Sequence, residues 1–491
     1  MKRFVVCILA LILLMNLAAC GDTQNKEAAD GIMIQLSDED ITVDGKTIGV
    51  DTDAAVYAAH DIIFYLAGQG VAYGEGERDD EHTQDEADAH TVVHITKPGT
   101  YVLSGQLSAG QIAVDLGKDA ADDPNAVVTL VLNGVDITCQ VAPAIIFYSV
   151  YECGDAENPT KDVDTSAAGA NIVIADGSEN TINGAYVAKI YKTCTLSEDG
   201  KEVLDSKKLH KYDGAVYSKM SMNLNGGTLG DGILNINAEN EGLDSELHLT
   251  INGGYINIVS GDDGINTNED GISVTTVNGG YIRILIDGKQ GEGDGIDSNG
   301  WLVINDGTVV AEACATSGDA GIDSDMGIYL NGGTVIASGN MLDSIAGSRQ
   351  NYAVFTFVRQ QEGKGQTYEL KNESGETVLQ ASPTNAFTYL ILSSPELQAV
   401  DDTLWCGDTQ LSGTVGENGR GGMMQQMPDM PEGQQMPDMP MGEPPERNGQ
   451  QPPEMPDGMM ERPDDLLQGE TEGELSEIFA IMAGGNYFII R

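Results

Sequence analysis

A turn of sequence Asn-Gly-Gly recurs at nearly constant spacing in the middle of the chain and limits the possible folds more than any other feature. Its anchor asparagines are Asn225, Asn252, Asn278 and Asn331, with Asn305-Asp306-Gly307 as a variant. The intervals between them are 27, 26, 27 and 26 residues. Apolar residues alternate with polar ones on both sides of the turns, as in Leu249 and Ile251 before one turn and Ile256 and Ile258 after it. This period of two predicts pairs of short strands with one buried face.

A repeat of this length accommodates about three short strands and three turns. That is one coil of a right-handed parallel β-helix, in which successive coils stack about 4.8 Å apart. The sequence therefore predicts an all-β fold, with a right-handed parallel β-helix (solenoid) over residues 90–350 and a β-rich C-terminal cap over residues 351–415. Leucine-rich repeats have a similar length, but the chain lacks their LxxLxL spacing and their helix-forming half.

Composition divides the rest of the chain. Residues 36–89 are predicted to be an N-terminal segment or cap with a polar insertion. Residues 416–465 contain ten Met and ten Pro, a composition that cannot form a core and predicts a disordered segment. The soft thioether ligands of Met427 and Met430 leave Cu(I) open as an alternative to a flexible linker. Apolar residues return near the end, and residues 466–491 are expected to dock back onto the folded body.

The N-terminus has the pattern of a secretory signal. Lys2 and Arg3 precede an apolar run, and the run ends at Leu-Ala-Ala-Cys20. Cys20 in this context resembles the lipidated cysteine of bacterial lipoproteins. We therefore expect a lipoprotein signal peptide over residues 1–19, lipidation at Cys20 and a polar tether over residues 20–35. An ordinary signal peptide or a short anchor is the alternative. The expected location is the cell surface, with a lipid anchor on the outer face of the bacterial cytoplasmic membrane as the only membrane contact.

Charge and cysteine content exclude several classes of protein. The chain has 77 acidic and 25 basic residues and a formal net charge of −52, so it cannot neutralise a row of phosphates, and nucleic acid is excluded as a partner. The cysteines that follow Cys20 are odd in number, widely spaced and without a CxxC pair, which argues against a disulfide framework or a zinc site. We expect a monomer.

A second motif recurs once per coil: an acidic or small residue, Gly, an apolar residue, Asp or Asn, then Ser or Thr. Its copies are Glu241-Gly242-Leu243-Asp244-Ser245, Asp263-Gly264-Ile265-Asn266-Thr267, Asp294-Gly295-Ile296-Asp297-Ser298 and Ala320-Gly321-Ile322-Asp323-Ser324, with Asp213-Gly214 as a looser first copy. The apolar residue points inward, so the Asp or Asn beside it is predicted to face outward. Stacked coils then place these oxygens in a column.

Neighbouring carboxylates about 5 Å apart repel each other unless a cation lies between them. Hard oxygen ligands without His or Cys suit Ca²⁺. The predicted ligands are Asp213, Glu241, Asp244, Asp262, Asp263, Asn266, Asp294, Asp297, Asn299, Asp319, Asp323 and Asp325. The alternative is that Asp, Asn and Gly serve only as turn residues whose side chains bond their own backbone.

The acidic turns, the Asn-Gly-Gly strands, the segments GTYVLSG and VLNGVDI at residues 99–105 and 131–137, and the lipidation motif together resemble a bacterial family of secreted carbohydrate-binding β-helix proteins. The resemblance covers roughly residues 90–415. It implies a pectate-lyase-like fold, bound calcium, and cellulose or an acidic polysaccharide as the ligand. It carries over no ligand-contacting residue, because the family has no motif that defines one.

Three functions are consistent with these features. Polysaccharide binding is favoured, with Tyr255, Tyr281 and Trp301 as outward rings for sugar faces and nearby carboxylates offering calcium bridges. Trp301 is expected to share its outward column with His248. The alternative for these rings is packing beneath the cap or a loop. A calcium-dependent polysaccharide (pectate-type) lyase needs a base to take a proton. Only Lys219, Arg283 and Lys289 are basic between residues 213 and 345, so we predict no catalytic residue. The third possibility is a structural surface adhesin without a glycan site.

Overall fold

Almost all regular structure in this computed structural model is β-strand. The structure describes residues 31–65, 70–74, 82–187, 190–197, 199–208, 212–416 and 476–491. These residues include one short helix, α1 (Gln84–Asp88), and one 3-10 turn (Ala120–Asp122). The all-β prediction is confirmed. The predicted signal peptide, Cys20, most of the tether and nearly all of the Met/Pro-rich segment lie outside the described residues.

The strands form three groups along the chain. The first group is β1 (Ile32–Leu36), β2 (Thr42–Val43), β3 (Lys46–Thr47), β4 (Val56–Ala59), β5 (Thr91–Ile95), β6 (Gly99–Leu107), β7 (Gly110–Asp115), β8 (Val128–Cys139), β9 (Ile145–Ser149), β10 (Ala170–Ile174), β11 (Glu179–Gly184), β12 (Tyr191–Leu196) and β13 (Val203–Lys208). The second group is β14 (Gly214–Ser218), β15 (Met222–Gly226), β16 (Ile233–Ala238), β17 (Glu241–Ser245), β18 (His248–Ile251), β19 (Tyr255–Ser260), β20 (Ile265–Thr267), β21 (Val274–Val277), β22 (Tyr281–Ile286), β23 (Ile296–Ser298), β24 (Trp301–Ile304), β25 (Thr308–Glu312), β26 (Ile328–Leu330), β27 (Thr334–Gly339) and β28 (Ile345–Ser348). The third group is β29 (Tyr352–Gln361), β30 (Tyr368–Lys371), β31 (Thr377–Ala381), β32 (Phe387–Ser393), β33 (Asp401–Cys406), β34 (Thr409–Gln410), β35 (Gly413–Val415), β36 (Phe479–Ala480) and β37 (Gly485–Ile490).

Three ladders of parallel strands run through the molecule, and each repeat adds one strand to two or three of them. The first ladder is β1-β6-β8-β10-β15-β18-β21-β24-β26-β28. The second ladder is β8-β11-β16-β19-β22-β25-β27. The third ladder is β5-β7-β9-β14-β17-β20-β23, and β4 adds antiparallel at its edge.

The core lies between the ladders and follows the predicted alternation. Leu249 and Ile251 on β18 are 0% exposed, and Ile256 and Ile258 on β19 are at most 1% exposed. Ile265 of the third ladder is also fully buried. At about 25 cal/mol per Å² of apolar surface, burial of these repeated side chains is the main force that holds successive coils together.

The Asn-Gly-Gly turns connect the first ladder to the second. From the second copy onward, the last glycine of the turn has a positive φ, as in Gly254 (98°) and Gly280 (92°), a conformation that favours glycine. A Cβ at Gly280 would also lie 2.7 Å from the carbonyl oxygen of Gly254 in the preceding coil. The turn therefore repeats because both its backbone conformation and the close approach of coils require glycine.

The first ladder extends beyond the boundary predicted from sequence. β1 begins at Ile32, inside the stretch assigned to the tether, and pairs in parallel with β6. Ile34 and Leu36 are buried, whereas Met33 is 40% exposed. The alternation of apolar and polar residues covers only one strand here. It therefore does not stand out in the sequence beside the polar residues that precede it.

A second hydrophobic cluster closes the C-terminal end. β32 pairs antiparallel with both β27 and β29, and β37 pairs in parallel with β29. Phe355, Phe387 and Phe488 belong to this cluster.

No helix in the described ranges is long and apolar enough to cross a membrane.

Residues 150–169, between β9 and β10, form a loop over the outer face of the first ladder. Glu152 holds the start of this loop in place. The Glu152 carboxylate accepts hydrogen bonds from the backbone N–H (2.6 Å) and the hydroxyl (2.6 Å) of Ser221. Gly154 lies against His248: a Cβ there would be 2.7 Å from Nε2. His248 was predicted to be an outward residue, and it is only 2% exposed because this loop covers it.

Candidate functional site

The acidic motif forms three columns along the third ladder. Strand pairing aligns Asp244 with Asn266 and Asn266 with Asp297. This register defines a middle column that Asp323 continues, because its backbone N–H donates to Ile296 in the preceding coil. Acidic residues three positions earlier form the first column: Glu241, Asp263 and Asp294. Residues two positions later form the third column: Glu246, Asn268, Asn299 and Asp325.

Carboxylates of the first column accept hydrogen bonds from the following coil, two of them from its backbone and one from the Asn266 side chain. Oδ1 of Asp263 accepts a hydrogen bond from the backbone N–H of Asp294 at 2.7 Å. Oδ1 of Asp294 accepts one from Ala320 at 2.5 Å. Oε1 of Glu241 accepts from the amide of Asn266 at 3.0 Å. These bonds give each carboxylate a structural role and leave its other oxygen directed elsewhere, since an ionised carboxylate has about four acceptor positions.

Asp294, Asp297 and Asp323 come together most closely. Each offers one carboxylate oxygen, and these three oxygens lie within 4.8 Å of one another. Burial raises the pKa of Asp294 to about 9 and, reinforced by Asp343 and Asp297, raises the pKa of Asp323 to about 7. Burial and the neighbouring carboxylates also hold the pKa of Asp263 well above its usual range. Without a cation, the site therefore resists full ionisation near neutral pH.

The donor set fits a hard divalent cation. The three clustered groups are carboxylates, and the residues above and below them in the middle column contribute further oxygen. Asn266 is 4% exposed, and its Oδ1 accepts no hydrogen bond from any described residue. A buried carbonyl oxygen without a donor is costly, and a cation would satisfy it. Asp244, predicted to face solvent, is 0% exposed, because Asn268 of the next coil lies over it and donates to its Oδ1 at 2.6 Å.

The other predicted ligands lie apart from the close cluster. Asp319 accepts hydrogen bonds from the backbone of Gly293 and from the hydroxyl of Ser317, which is typical of a turn residue. Asn299 donates to the carbonyl of Asn268 at 2.9 Å, and Asp325 is exposed in the same third column. The remaining two predicted ligands flank the first column: Asp213, whose carbonyl accepts from Glu241, and Asp262, which helps raise the pKa of Asp263.

Asp343 is not among the ligands predicted from the sequence, although it lies beside them. This residue extends the middle column, and it interacts with Asp323 closely enough that each affects the pKa of the other. Its Oδ2 is buried without a hydrogen-bond donor among the described residues. The signal is present in Leu342-Asp343-Ser344, which keeps the apolar-Asp-Ser part of the motif. The glycine before it has been replaced by Met341, so a search for the whole motif fails.

Tyr255 and Tyr281 form a pair of exposed rings on the second ladder. They are register partners, with 48% and 37% of their surface exposed. Their ring centroids lie 6.1 Å apart, and the ring planes are inclined by 36°. Arg283, the base considered for a lyase, is exposed two positions after Tyr281 and belongs to a different sheet from the third-ladder carboxylates.

The predicted aromatic residues do not form one surface with the carboxylates. Each tyrosine begins a six-residue strand, β19 or β22, and the acidic turns follow the opposite ends of those strands. Such a strand spans about 17 Å, so a sugar on the rings does not reach a cation in the columns. The predicted calcium ligands therefore do not lie beside the tyrosine pair, and calcium bridging of a bound glycan stays a prediction. Trp301 is half-buried on the outer face of the first ladder, in register with Val274, which pairs with His248.

A family model and a curated relative both carry the description of a carbohydrate-binding domain. A family described as carbohydrate-binding domain-containing protein matches residues 89–382. A carbohydrate-binding domain-containing protein of Acetivibrio thermocellus is 30% identical over 168 residues, which are 34% of this chain and 44% of that protein. The chain thus spans less than half the length of this relative. A solved gadolinium derivative of the polysaccharide lyase-like protein from C. thermocellum is 20% identical, with a TM-score of 0.36, over 65% of this chain and 93% of that one. Because the family match covers more than half of its 491 residues, the chain belongs to the family of carbohydrate-binding domain-containing proteins.

Proposed function

We propose that this protein is a lipid-anchored surface protein of a bacterial cell that binds polysaccharide through a calcium-loaded right-handed parallel β-helix. The observation that carries the binding role is the exposed pair of Tyr255 and Tyr281 on a rigid ladder. Sugar rings present flat C–H faces that pack on aromatic rings. Two rings held at a fixed separation by strand pairing offer such a platform without the entropy cost of ordering a loop.

The proposed calcium has a structural role in this arrangement. Asp294, Asp297 and Asp323 join consecutive coils, so a cation held by them neutralises repulsion between those coils and favours the folded state. The tyrosine pair lies at the far ends of the strands. Calcium therefore supports the shape of the glycan platform, and it does not contact the glycan there. The lipid anchor at Cys20 and the surface location rest on the sequence motif alone.

The test replaces both rings. Tyr255→Ala/Tyr281→Ala removes two exposed side chains and no core residue, so the melting temperature should change little. Retention in affinity electrophoresis gels that contain cellulose-derived hydroxyethylcellulose, mannan or polygalacturonate should fall by roughly tenfold for the polysaccharide that binds, since two aromatic contacts of this kind contribute about 0.5–1.5 kcal/mol each. Leu229→Ala, which removes another exposed apolar side chain (72%), is the matched control and should bind as the wild type does.

Two results would contradict the proposal. Undiminished retention of the double variant would place the platform elsewhere on the molecule. Wild-type protein retained by none of the polysaccharides, with calcium present, would remove the binding role itself.

A further inference from the structure

A groove runs along the outer face of the first ladder beside the loop over residues 150–169. Its cavity volume is about 660 Å³, and amides and hydroxyls provide most of its lining. The loop residues Lys161 to Ser166 form one wall, and the asparagines of the repeated turn lie along the other side. The groove is separate from the tyrosine pair, which lies beyond the Gly253-Gly254 turn on the second ladder.

The anchor asparagines form a continuous hydrogen-bonded ladder. Each side-chain amide nitrogen donates to the side-chain carbonyl oxygen of the asparagine in the preceding coil at 2.9 Å. The pairs are Asn252 to Asn225, Asn278 to Asn252, Asn305 to Asn278 and Asn331 to Asn305. Five residues at a coil spacing of about 4.8 Å give a row about 19 Å long. The row is straight and rigid, because parallel pairing fixes the strand before each amide.

Each interior amide of the ladder keeps unused hydrogen-bonding capacity. A primary amide has two N–H donors and two acceptor lone pairs, and the ladder uses one of each. Asn252, Asn278 and Asn305 are exposed, so each presents one donor and one acceptor toward solvent at every coil. Hydroxyl groups both donate and accept. A periodic row of paired donors and acceptors therefore matches a periodic, hydroxyl-rich chain.

The wall opposite the amides is held in place by buried polar contacts. Thr165 is 4% exposed, and its hydroxyl lies 2.8 Å from Oδ1 of Asn223 and 2.6 Å from the hydroxyl of Thr250. The amide of Asn223 donates to the Thr165 carbonyl at 2.8 Å. At the other end, the Lys161 ammonium lies 5.2 Å from the ring centroid of Tyr329. The groove is thus bounded on both sides before any ligand enters.

The charges of the groove balance. Lys161 is paired with Asp162 at 2.5 Å, and Asp164 accepts a hydrogen bond from the backbone of Ser166. Arg349 follows Ser348, the register partner of Leu330, and so occupies the ladder position after Asn331. Two cations and two carboxylates give no local excess of positive charge. An acidic polysaccharide would also be repelled by the protein as a whole, because the protein has a net charge of −52.

We propose that this groove is a second saccharide-binding site, which takes an extended neutral polysaccharide along the asparagine ladder without calcium. The inference rests on the carbohydrate binding proposed above and assigns a site that does not depend on the tyrosine pair. The asparagine amides bond to hydroxyls, and the loop over residues 161–166 limits the width of the chain that enters.

The test blocks the groove with a bulky side chain. Ser166 is exposed and lines the groove, so Ser166→Trp fills it from the loop side. Ala156→Trp is the matched control, because Ala156 is exposed on the same loop and does not line the groove. Calorimetry with cellohexaose, mannohexaose, xylohexaose and hexagalacturonate, in EDTA and in calcium, provides the readout.

We expect at least one neutral hexasaccharide to bind in EDTA as in calcium. Its dissociation constant should rise at least about tenfold in Ser166→Trp, because the amides lose access to the hydroxyls, and should stay unchanged in Ala156→Trp. Binding that survives in Ser166→Trp, that requires calcium, or that is confined to hexagalacturonate would overturn the groove site. If binding is lost only in the tyrosine variant, the proposed function stands and the groove site falls.

A measurement on the wild-type protein covers the case in which Ser166→Trp does not fold. Lysine acylation read by mass spectrometry reports the accessibility of Lys161, whose side chain is 32% exposed, beside Lys201 and Lys289, which are 78% and 75% exposed. A saturating neutral hexasaccharide should slow acylation of Lys161 and leave the other two lysines unaffected. Equal labelling of Lys161 with and without saccharide would overturn the site.

Discussion

Asp402 illustrates, for a single residue, how burial acts on a carboxylate that has no partner. Its side chain lies on β33 in the cap and is 1% exposed, and neither oxygen accepts a hydrogen bond from a described residue. Burial, reinforced by Asp401 and Glu373, raises the pKa of Asp402 to about 6. A folded-state pKa above that of the unfolded chain means that this group destabilises the fold once pH rises through about 6.

We predict that Asp402→Asn stabilises the protein at alkaline pH. A neutral amide of the same shape is less costly to bury than a charged carboxylate, so the free energy of unfolding at pH 8 should rise by on the order of 1–2 kcal/mol. The gain should shrink at pH 5, where Asp402 itself is neutral. Thermal unfolding at both pH values checks this, with the exposed neighbour Asp401→Asn as control. A lower melting temperature for Asp402→Asn at pH 8 would contradict the prediction.

Single residues also show where sequence reasoning works and where it stops. The period of two placed Tyr255 and Tyr281 as outward neighbours, because alternation and repeat spacing are local properties of the chain. The same reasoning placed His248 outward, yet the loop over residues 150–169 covers it, and no local pattern shows where a distant loop will lie. Asp343 was missed because its coil keeps the carboxylate and loses the glycine. Alternation gives the face of a strand, and burial depends on what packs over that face.

At the scale of elements, the C-terminal end of the second ladder is closed against unwanted strand pairing. β27 would present an open edge, and β32 covers it in antiparallel pairing. Glu312, at the end of β25, holds the residues that precede β32 in place. Its Oε2 accepts hydrogen bonds from the backbone N–H groups of Thr384 (2.6 Å) and Asn385 (3.0 Å). The amide of Asn385 donates in turn to the carbonyls of Ile286 and Ala313 at 2.7 and 2.8 Å.

We predict that Glu312→Ala loosens the cap. Glu312 is 3% exposed, so its removal leaves two backbone N–H groups without an acceptor, at a cost of about 1–3 kcal/mol each. Amide hydrogen exchange should accelerate in β32 and change little in β18 or β19. Glu312→Gln keeps an acceptor oxygen and should show a much smaller effect. Unchanged exchange in β32 of the alanine variant would show that strand pairing alone holds the cap.

At the scale of the whole molecule, stacking of coils concentrates negative charge. The chain carries a net charge of −52, and each repeat brings another acidic turn next to the last one. The parallel ladders that create the core thereby also create the carboxylate columns, so the same register that stabilises the fold opposes it electrostatically. A cation in the columns, or protons on them, relieves that opposition. Which of the two acts depends on pH and on calcium.

We predict that calcium offsets a loss of stability that the protein shows in EDTA as pH rises from 5 to 9. In EDTA, Asp323 and Asp294 have folded-state pKa values raised to about 7 and 9, so the stability that their protons contribute is present at low pH and is lost as pH rises through these values. The melting temperature in EDTA should therefore fall over this range. Calcium should raise the melting temperature most at pH 8–9. The corresponding gain in the free energy of unfolding reaches about 2.7 kcal/mol when the free calcium concentration is one hundred times the dissociation constant. Asp294→Asn/Asp323→Asn should reduce the slope and remove the calcium effect, whereas Asp306→Asn, in an exposed turn, should change neither. Identical pH profiles in EDTA and calcium would exclude a cation bound by these columns.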